Sequence, residues 1–579
     1  MIDFSKINKN KIMMSMRTSF LYLMFLVCLI CFNVLALPRE SAIVFNNVNL
    51  ISMEQDTILP GRTVVVEKDR IVTVRAAQKV YSPDGATVLD GTGMYLMPGL
   101  TDAHIHLDNK IGARPDFGDA PLFLAYGITT VFNLRGEPEH LEWKKRIQEG
   151  TLLAPNLYTS SEFVNEPRIT TPEEAQAEVD RHIREGYDII KFREVIDFEK
   201  HRILTTVGME ESAYLRLNQV AKQQGIPLVG HAPYRVGLSG LLRAGQSLAH
   251  INELSNLYFL PPLDLKRGTF MQLARWVFPL LAGIVMIWYI LELVRSRVGT
   301  PANQVSRKVK KYRIMSVWFL LMVAACYILW ILVVPPGLFF GNIWFLILLS
   351  ISGLIALALL IRLLFLLIQI EKESTVTIFN KVVVIVVFMM VLLQVIVLIH
   401  WIPFAWRGSD LMINRVAQDL KKAGISVQTT LICQESYISQ RDGFRREQLA
   451  DDPAFRFLST SMQESWRGFI EYKLPWIIKL WKRQPEFNQR VVFALNQQGV
   501  PLMAGTDAMG APLIIPGSSL HKELQLISES GISNYEVLRT ATVEPAKFLH
   551  KESEFGTVTT GRRADLLLLE GNPLEDISN

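Results

Sequence analysis

The sequence predicts an α/β protein built on a parallel sheet, with short strands at both chain ends and a block of apolar helices inserted in the middle. Strand and helix patterns alternate from about residue 99 and again after 408, which argues for a parallel sheet, closed into a barrel or doubly wound. Residues 41–96 and the last part of the chain read instead as strands broken by turns. Residues 270–405 hold much of the chain's apolar excess.

Each element has a local reason. Strands are expected at 43–48, 63–67, 70–75 and 86–89, where apolar residues alternate and Gly, Asp and Pro punctuate. The α/β part is expected to run as strand 129–134, helix 172–185, strand 189–192, helix 210–224 and strand 227–231. After the apolar block come helix 411–423 and strands 426–432 and 501–505, then terminal strands at 556–558 and 564–569.

Half of the 579 residues are hydrophobic and 20% are charged. The net charge of +5, with no basic stripe interleaved with aromatics, gives no case for nucleic acid. Of four cysteines, Cys28, Cys31 and Cys326 lie in apolar segments and Cys433 stands alone, so no disulfide framework can be built.

Lys6, Lys9, Lys11 and Arg17 precede an apolar run at 18–37, the pattern of a signal peptide or an uncleaved signal anchor over residues 1–37. Four further runs at 273–294, 314–334, 338–370 and 382–404 each reach the ~20 residues a membrane-crossing helix needs. The loop between the first two holds Arg295, Arg297, Arg307, Lys308, Lys310, Lys311 and Arg313 without an acidic residue, and such loops stay cytoplasmic. These features predict a multi-pass membrane protein whose α/β part is extracytoplasmic, periplasmic in a Gram-negative cell. Trp466, Trp476 and Trp481, interleaved with Lys473, Lys479, Lys482 and Arg483, fit a membrane interface or an ordinary helical excursion.

One set of residues carries chemistry. His104 and His106 are two apart on a strand, so both point to the same face. Lys191 ends an apolar strand, where a lysine is costly without a partner. His231, His250 and Asp507 also close expected strands, and barrel enzymes place their chemistry at the C-terminal ends of strands. His140, His182 and His201 read as solvated, and His400 as interfacial.

With these residues in view, the sequence resembles the amidohydrolase superfamily, in its imidazolonepropionase-like and Xaa-Pro dipeptidase-like branch. The matching segments are PGLTDAHIHL (98–107), AYGITTV (125–131), DIIKF (188–192), VGHA (229–232), AGQSLAHI (244–251), AGTDA (504–508) and the tail from 537 to 577. The resemblance covers residues 41–255 and 408–579. It implies a metal-dependent hydrolase (β/α)8 TIM barrel over 97–265 and 408–552. It also implies a small composite β-sandwich from 38–96 and 553–579, leaving 266–407 as the inserted four-helix transmembrane block.

The resemblance further implies that His104 and His106 hold one divalent ion and that His231 and His250 hold a second. Lys191 would be carboxylated and bridge both, and Asp507 would complete the first site. Zn²⁺ suits such ligands, with Mn²⁺ or Co²⁺ as alternatives. A water activated by the metal would attack an amide or peptide-like C–N bond, with Asp507 as base and then acid. A lactone or phosphoester hydrolase, or a ligand-binding membrane sensor without catalysis, are the competing readings. Two positions depart from the family pattern: Phe132-Asn133 stand where Arg-Asp is common, with Arg135 displaced, and Ala249 precedes His250 in place of Glu. Tyr234 and Arg235 are candidates for a substrate carboxylate, and His521 matches a position often His in relatives. The apolar block leads us to expect an amphiphilic small-molecule substrate and membrane lipid as a partner.

Overall fold

The computed structural model describes residues 42–77, 85–107, 117–197, 202–203, 207–260, 343–371, 406–439, 452–467, 484–511 and 513–579, with isolated positions between 277 and 404. Its strands are β1 (Ile43–Leu50), β2 (Leu59–Glu67), β3 (Arg70–Ala76), β4 (Thr87–Asp90), β5 (Tyr95–Pro98), β6 (Leu100–Ile105), β7 (Ile128–Asn133), β8 (Asn156–Thr159) and β9 (Ile190–Phe192). They continue as the hairpin β10 (Ile196–Asp197) and β11 (Arg202–Ile203), then β12 (Leu228–Gly230), β13 (Ser247–Leu248), β14 (Val427–Gln428), β15 (Leu502–Met503) and β16 (Leu566–Leu569).

Strands from residues 43–98 and 566–569 meet in one mixed sheet of order β16-β5-β1-β2-β3, with β4 on β1. β16 runs antiparallel to β5, Leu566 opposite Pro98 and Leu569 opposite Tyr95. Val48, Leu50, Val64, Ile71, Leu96 and Val558 pack its buried face. Among the described residues this is a single six-stranded sheet, where two sandwiched layers were expected. Residues 556–558 form no strand.

The strands of the α/β part are parallel, in sheets ordered β6-β7-β8 and β15-β14-β13-β12-β9. β6 is buried at all six positions, as expected for a parallel strand covered on both faces. The single closed barrel of the expectation is not formed as one ladder. The two sheets meet at both seams through isolated bonds, Asp188 N to Thr159 O (2.9 Å) on one side and Ala103 N to Ala504 O (3.0 Å) on the other. The ladder stops near the second seam because β15 is two residues long and Asp507 turns into the left-handed region at φ 63°. For the same reason the strand expected over 426–432 ends at Gln428. Thr430, at φ 42°, turns the chain into helix Leu431–Ser439.

The helix expected at 172–185 shows how the flanking layer is specified. Thr171 caps Glu174 N while the Glu174 side chain bonds back to Thr171 N, and Gly186 closes the far end at φ 86°. Ala175 and Val179 face inward, against Tyr214 and Leu217 of helix Glu211–Gln224.

The membrane expectation is corrected. Crossing a bilayer takes about 20 consecutive apolar helical residues, and among the described residues no helix is long and apolar enough to do so. Helix Ile343–Glu371 has continuous bounds, but its side chains are described only in part, and Arg362 is exposed within it. Most of the other three expected spans, and all of residues 1–37, lie outside the described residues. A multi-pass membrane location with an extracytoplasmic α/β part therefore has no support among the described residues. The amphiphilic substrate and the lipid partner, which rested on it, lose their support. Trp466 is buried against Phe455 and belongs to the interior, while Trp476 and Trp481 lie outside the described residues.

Candidate metal centre

The C-terminal ends of the parallel strands converge on a cluster of imidazoles, one amine and one carboxylate. His104 and His106 leave β6, and Asp507 follows β15 across the seam, its N–H bonded to His104 O at 2.8 Å. Backbones approach this closely because residue 505 is glycine: a Cβ there would lie 2.7 Å from that of His104. Gly510 is required in the same way, because a Cβ would collide with the His106 ring and the Asp507 carboxylate.

His106 Nε2 lies 2.9 Å from Asp507 Oδ1 and His104 Nε2 lies 3.5 Å from it. Lys191, fully buried in β9, places Nζ 3.2 Å from His104 Nε2. The His250 ring lies tilted against His104 (4.4 Å between centroids) and meets the His231 ring at 5.1 Å. His104, His250 and Asp507 offer ligand atoms all within 4.8 Å of one another. His250 (φ 66°), Thr430 and Asp507 follow three neighbouring strands and all hold left-handed backbone, a strain of ~1–3 kcal/mol each that the surrounding fold must sustain.

Hydrogen bonds fix which nitrogens face inward. His231 Nδ1–H donates to the Glu194 carbonyl oxygen at 2.8 Å, so its Nε2 is the lone-pair nitrogen. His250 Nδ1 is engaged by Thr430 Oγ1 at 2.9 Å. Nδ1 of His104 and of His106 are buried without a hydrogen-bond partner, leaving Nε2, beside Asp507, as the nitrogen that holds each ring.

Burial sets the charges. It drives His104 and His231 well below the ordinary imidazole range and His250 down to about 3, so these rings are neutral. It also pulls Lys191 down to about 7. Burial pushes Asp507 up, but its hydrogen bond from His106 and the charges around it outweigh this and hold it at about 2. Neutral imidazoles and a carboxylate in one dry cluster are the donors a divalent ion takes, and the residues fit such an ion.

In part of its sequence and in its fold, the chain is similar to amidohydrolases. Residues 394–579 match the family model for the amidohydrolase family. An adenine deaminase of Clostridium perfringens is 26% identical over 156 residues, 25% of this chain and 26% of the relative. An adenine deaminase of Rubrobacter xylanophilus is 29% identical over 172 residues, 27% of each chain. The chain thus spans about a quarter of the length of these curated relatives. Among solved structures, a Xaa-Pro dipeptidase with bound methionine superposes at TM-score 0.51 with 14% identity, covering 93% of this chain and 96% of the other. A bottromycin amidohydrolase superposes at 0.51 with 19% identity, covering 93% and 83%.

The other expected site residues fall around this cluster or away from it. The Tyr234 hydroxyl is buried beside Glu253, whose carboxyl accepts from Ala232 N at 3.1 Å. Arg235 turns to Gly208 O (2.9 Å) and ion-pairs with Glu210, on the loop before helix Glu211–Gln224. His521 lies exposed, 2.9 Å from the Tyr126 carbonyl, and does not join the cluster. His140 and His182, expected in solvent, are fully buried. His140 accepts from Glu137 N at the start of its helix, and His182 meets Ser161 Oγ at 2.6 Å. His201 and His400 lie outside the described residues.

Several neighbours of the cluster were given no role in it from the sequence. Asp102 lies under His104, accepting from His104 N (3.2 Å) and the Thr506 hydroxyl (2.6 Å). Asn133, where the family pattern has Asp, accepts from Leu107 N at 3.1 Å and so ties the β6 end to β7. Cys433 Sγ lies 3.4 Å from Asp507 Oδ2. Phe163 packs edge-on to His106 (6.2 Å), with the Arg193 and Arg135 guanidinium carbons 4.7 and 5.3 Å from its centroid. Asp102 could have been suspected from its i, i+2 relation to His104. The others are set by contacts between distant segments.

Proposed function

We propose that this protein is a metal-dependent hydrolase of a C–N bond in a small molecule, holding one or two divalent ions with His104, His106, Lys191, His231, His250 and Asp507. The carrying observation is the mutual approach of His104, His250 and Asp507, all buried, with the Lys191 amine at hydrogen-bond distance from His104. An amidohydrolase fold and relatives named as a deaminase and a dipeptidase support the same bond class. When bound, a divalent ion supplies Lewis acidity and makes water acidic near neutral pH.

The chain's own residues do the rest. His231 and His250 keep Nε2 free because Nδ1 of each is occupied. Asp507 takes a proton at a carboxylate oxygen and returns it to the leaving nitrogen, acting as base and then acid. Lys191 cannot hold a cation as an ammonium. Its amine would add carbon dioxide, forming an N–C bond as a C=O π bond opens and releasing a proton, and the resulting carbamate oxygens would be the donors offered to the ion. Zn²⁺ is the ion this His/carboxylate set favours, with Mn²⁺ or Co²⁺ as alternatives.

Metal analysis of the purified protein, joined to a screen of N-acyl amino acids, dipeptides, aromatic amines and lactones, tests this reading. His104→Ala is expected to lose bound metal and turnover together. Retention of both in that variant rejects the metal assignment, and a screen answered by lactones alone moves the bond class.

A further inference from the structure

Glu523 sits on helix Ser518–Glu529, fully buried and outside the ligand set. A carboxylate in such a place must find donors or it destabilises the fold. Its donors all come from one short segment: the Thr429 hydroxyl, Leu431 N at 3.0 Å and Ile432 N at 2.7 Å. Those residues flank Thr430, whose left-handed backbone at φ 42° is costly for a β-branched side chain. Something must hold that conformation, and the three bonds to Glu523 straddle it.

The segment reaches the metal centre twice. Thr430 Oγ1 lies 2.9 Å from His250 Nδ1, and Cys433, on the first turn of helix Leu431–Ser439, reaches Asp507 Oδ2 at 3.4 Å. His250 and Asp507 come from different strands, β13 and β15, so the Glu523-bound turn after β14 lies between them.

We propose that Glu523 is a positioning residue for the metal centre: by gripping residues 429–432 it sets Thr430 against His250 and Cys433 against Asp507. Glu523 touches neither ligand and acts through the turn. The proposal rests on the metal reading above, but its test reads ligand geometry and affinity, independent of any substrate.

The experiment strips the full-length protein of metal and titrates Zn²⁺ against a competing chelator, for wild type, Glu523→Gln, Thr430→Ala and the double variant. Glu523→Gln keeps the shape but points an amide N–H₂ at a backbone N–H. It is expected to weaken zinc about 10- to 100-fold, the usual cost of losing a group that orients a ligand. The double variant is expected to be no weaker than the worse single one, because Glu523 acts through Thr430. Fully additive losses overturn the proposal. So does a Glu523→Gln protein that melts at lower temperature yet binds zinc as wild type does, since that marks a purely structural role. If Glu523→Gln does not fold, Thr429→Val removes the hydroxyl bond to Glu523, with a weaker one to Met503 O at 3.4 Å, and is expected to weaken zinc about threefold to tenfold. Unchanged affinity there also overturns the proposal. Wild-type protein that binds no zinc at all rejects the metal reading instead, so the two failures are distinguishable.

Discussion

The Cys433 thiol donates to Asp507, its Sγ 3.4 Å from Oδ2, while Oδ1 faces the imidazole of His106. Each carboxylate oxygen of the proposed general base therefore has its own partner. Cys433→Ala leaves Oδ2 without its donor and is expected to change kcat by about fivefold, the order of one weak hydrogen bond, with KM and bound metal unchanged. Cys433→Ser, which restores a donor, is expected to recover most of the rate. Steady-state kinetics with metal analysis checks both, and a rise in KM alone would assign Cys433 to substrate contact.

Lys191 is buried with Nζ against His104, so its replacement should empty that part of the site. Lys191→Ala is expected to lose turnover and to regain part of it when a short carboxylic acid is added to the buffer. Full activity without the acid would exclude a carbamate.

Arg193 and Arg135 stand over the same Phe163 ring, and that ring borders His106. Arg193 lies two residues beyond Lys191, just past the end of β9. Arg193→Met is expected to raise KM for substrates carrying a carboxylate about tenfold, the scale of one charged hydrogen bond, and to leave neutral analogues alone. An equal change on both substrate types would refute a role in charge recognition.

Burial raises the Glu523 carboxyl from 4.5 to about 7. The folded state then keeps a proton that the unfolded chain gives up, so the stabilisation is fully present below pH 4.5 and is lost as pH rises through 7. Complete loss amounts to ~3 kcal/mol, at 1.36 kcal/mol per unit. Asp102, also raised to about 7 and sensitive to the Glu523 charge, adds a second loss of the same sign. Urea unfolding between pH 4.5 and 7.5 is expected to show a steeper decline in wild type than in Glu523→Gln. Parallel curves would mean that Glu523 ionises in the folded protein as it does in water.

Residues whose meaning is local were legible in the sequence. His104 and His106 declare a shared face by their spacing, Lys191 by its cost on an apolar strand, and helix Pro172–Glu185 by Thr171, Glu174 and Gly186. Residues whose meaning comes from distant partners were not. Thr430, Cys433 and Glu523 belong to different elements and acquire a role only when β14 and helix Ser518–Glu529 come together. His140 and His182 have polar neighbours in sequence, which suggested solvent. Their helices bury the faces that carry them. The apolar runs at 273–404 misled in another way: hydropathy and length alone were read as membrane helices, and no described helix meets that requirement.

The pairing of β16 with β5 carries a consequence for biosynthesis. β5 ends at Pro98, and β6, which bears His104, starts at Leu100. A chain emerging from the ribosome exposes the edge of β5 until residues 566–569 have been made, because among the described residues no earlier segment occupies that position. The sheet is thus completed only after residues 566–569 have been made, as a contact of very long sequence separation and slow closure. A nascent chain held short of Leu566 presents a ready template for intermolecular strand pairing close to His104, which makes a stall in translation before that point the hazard this architecture must meet.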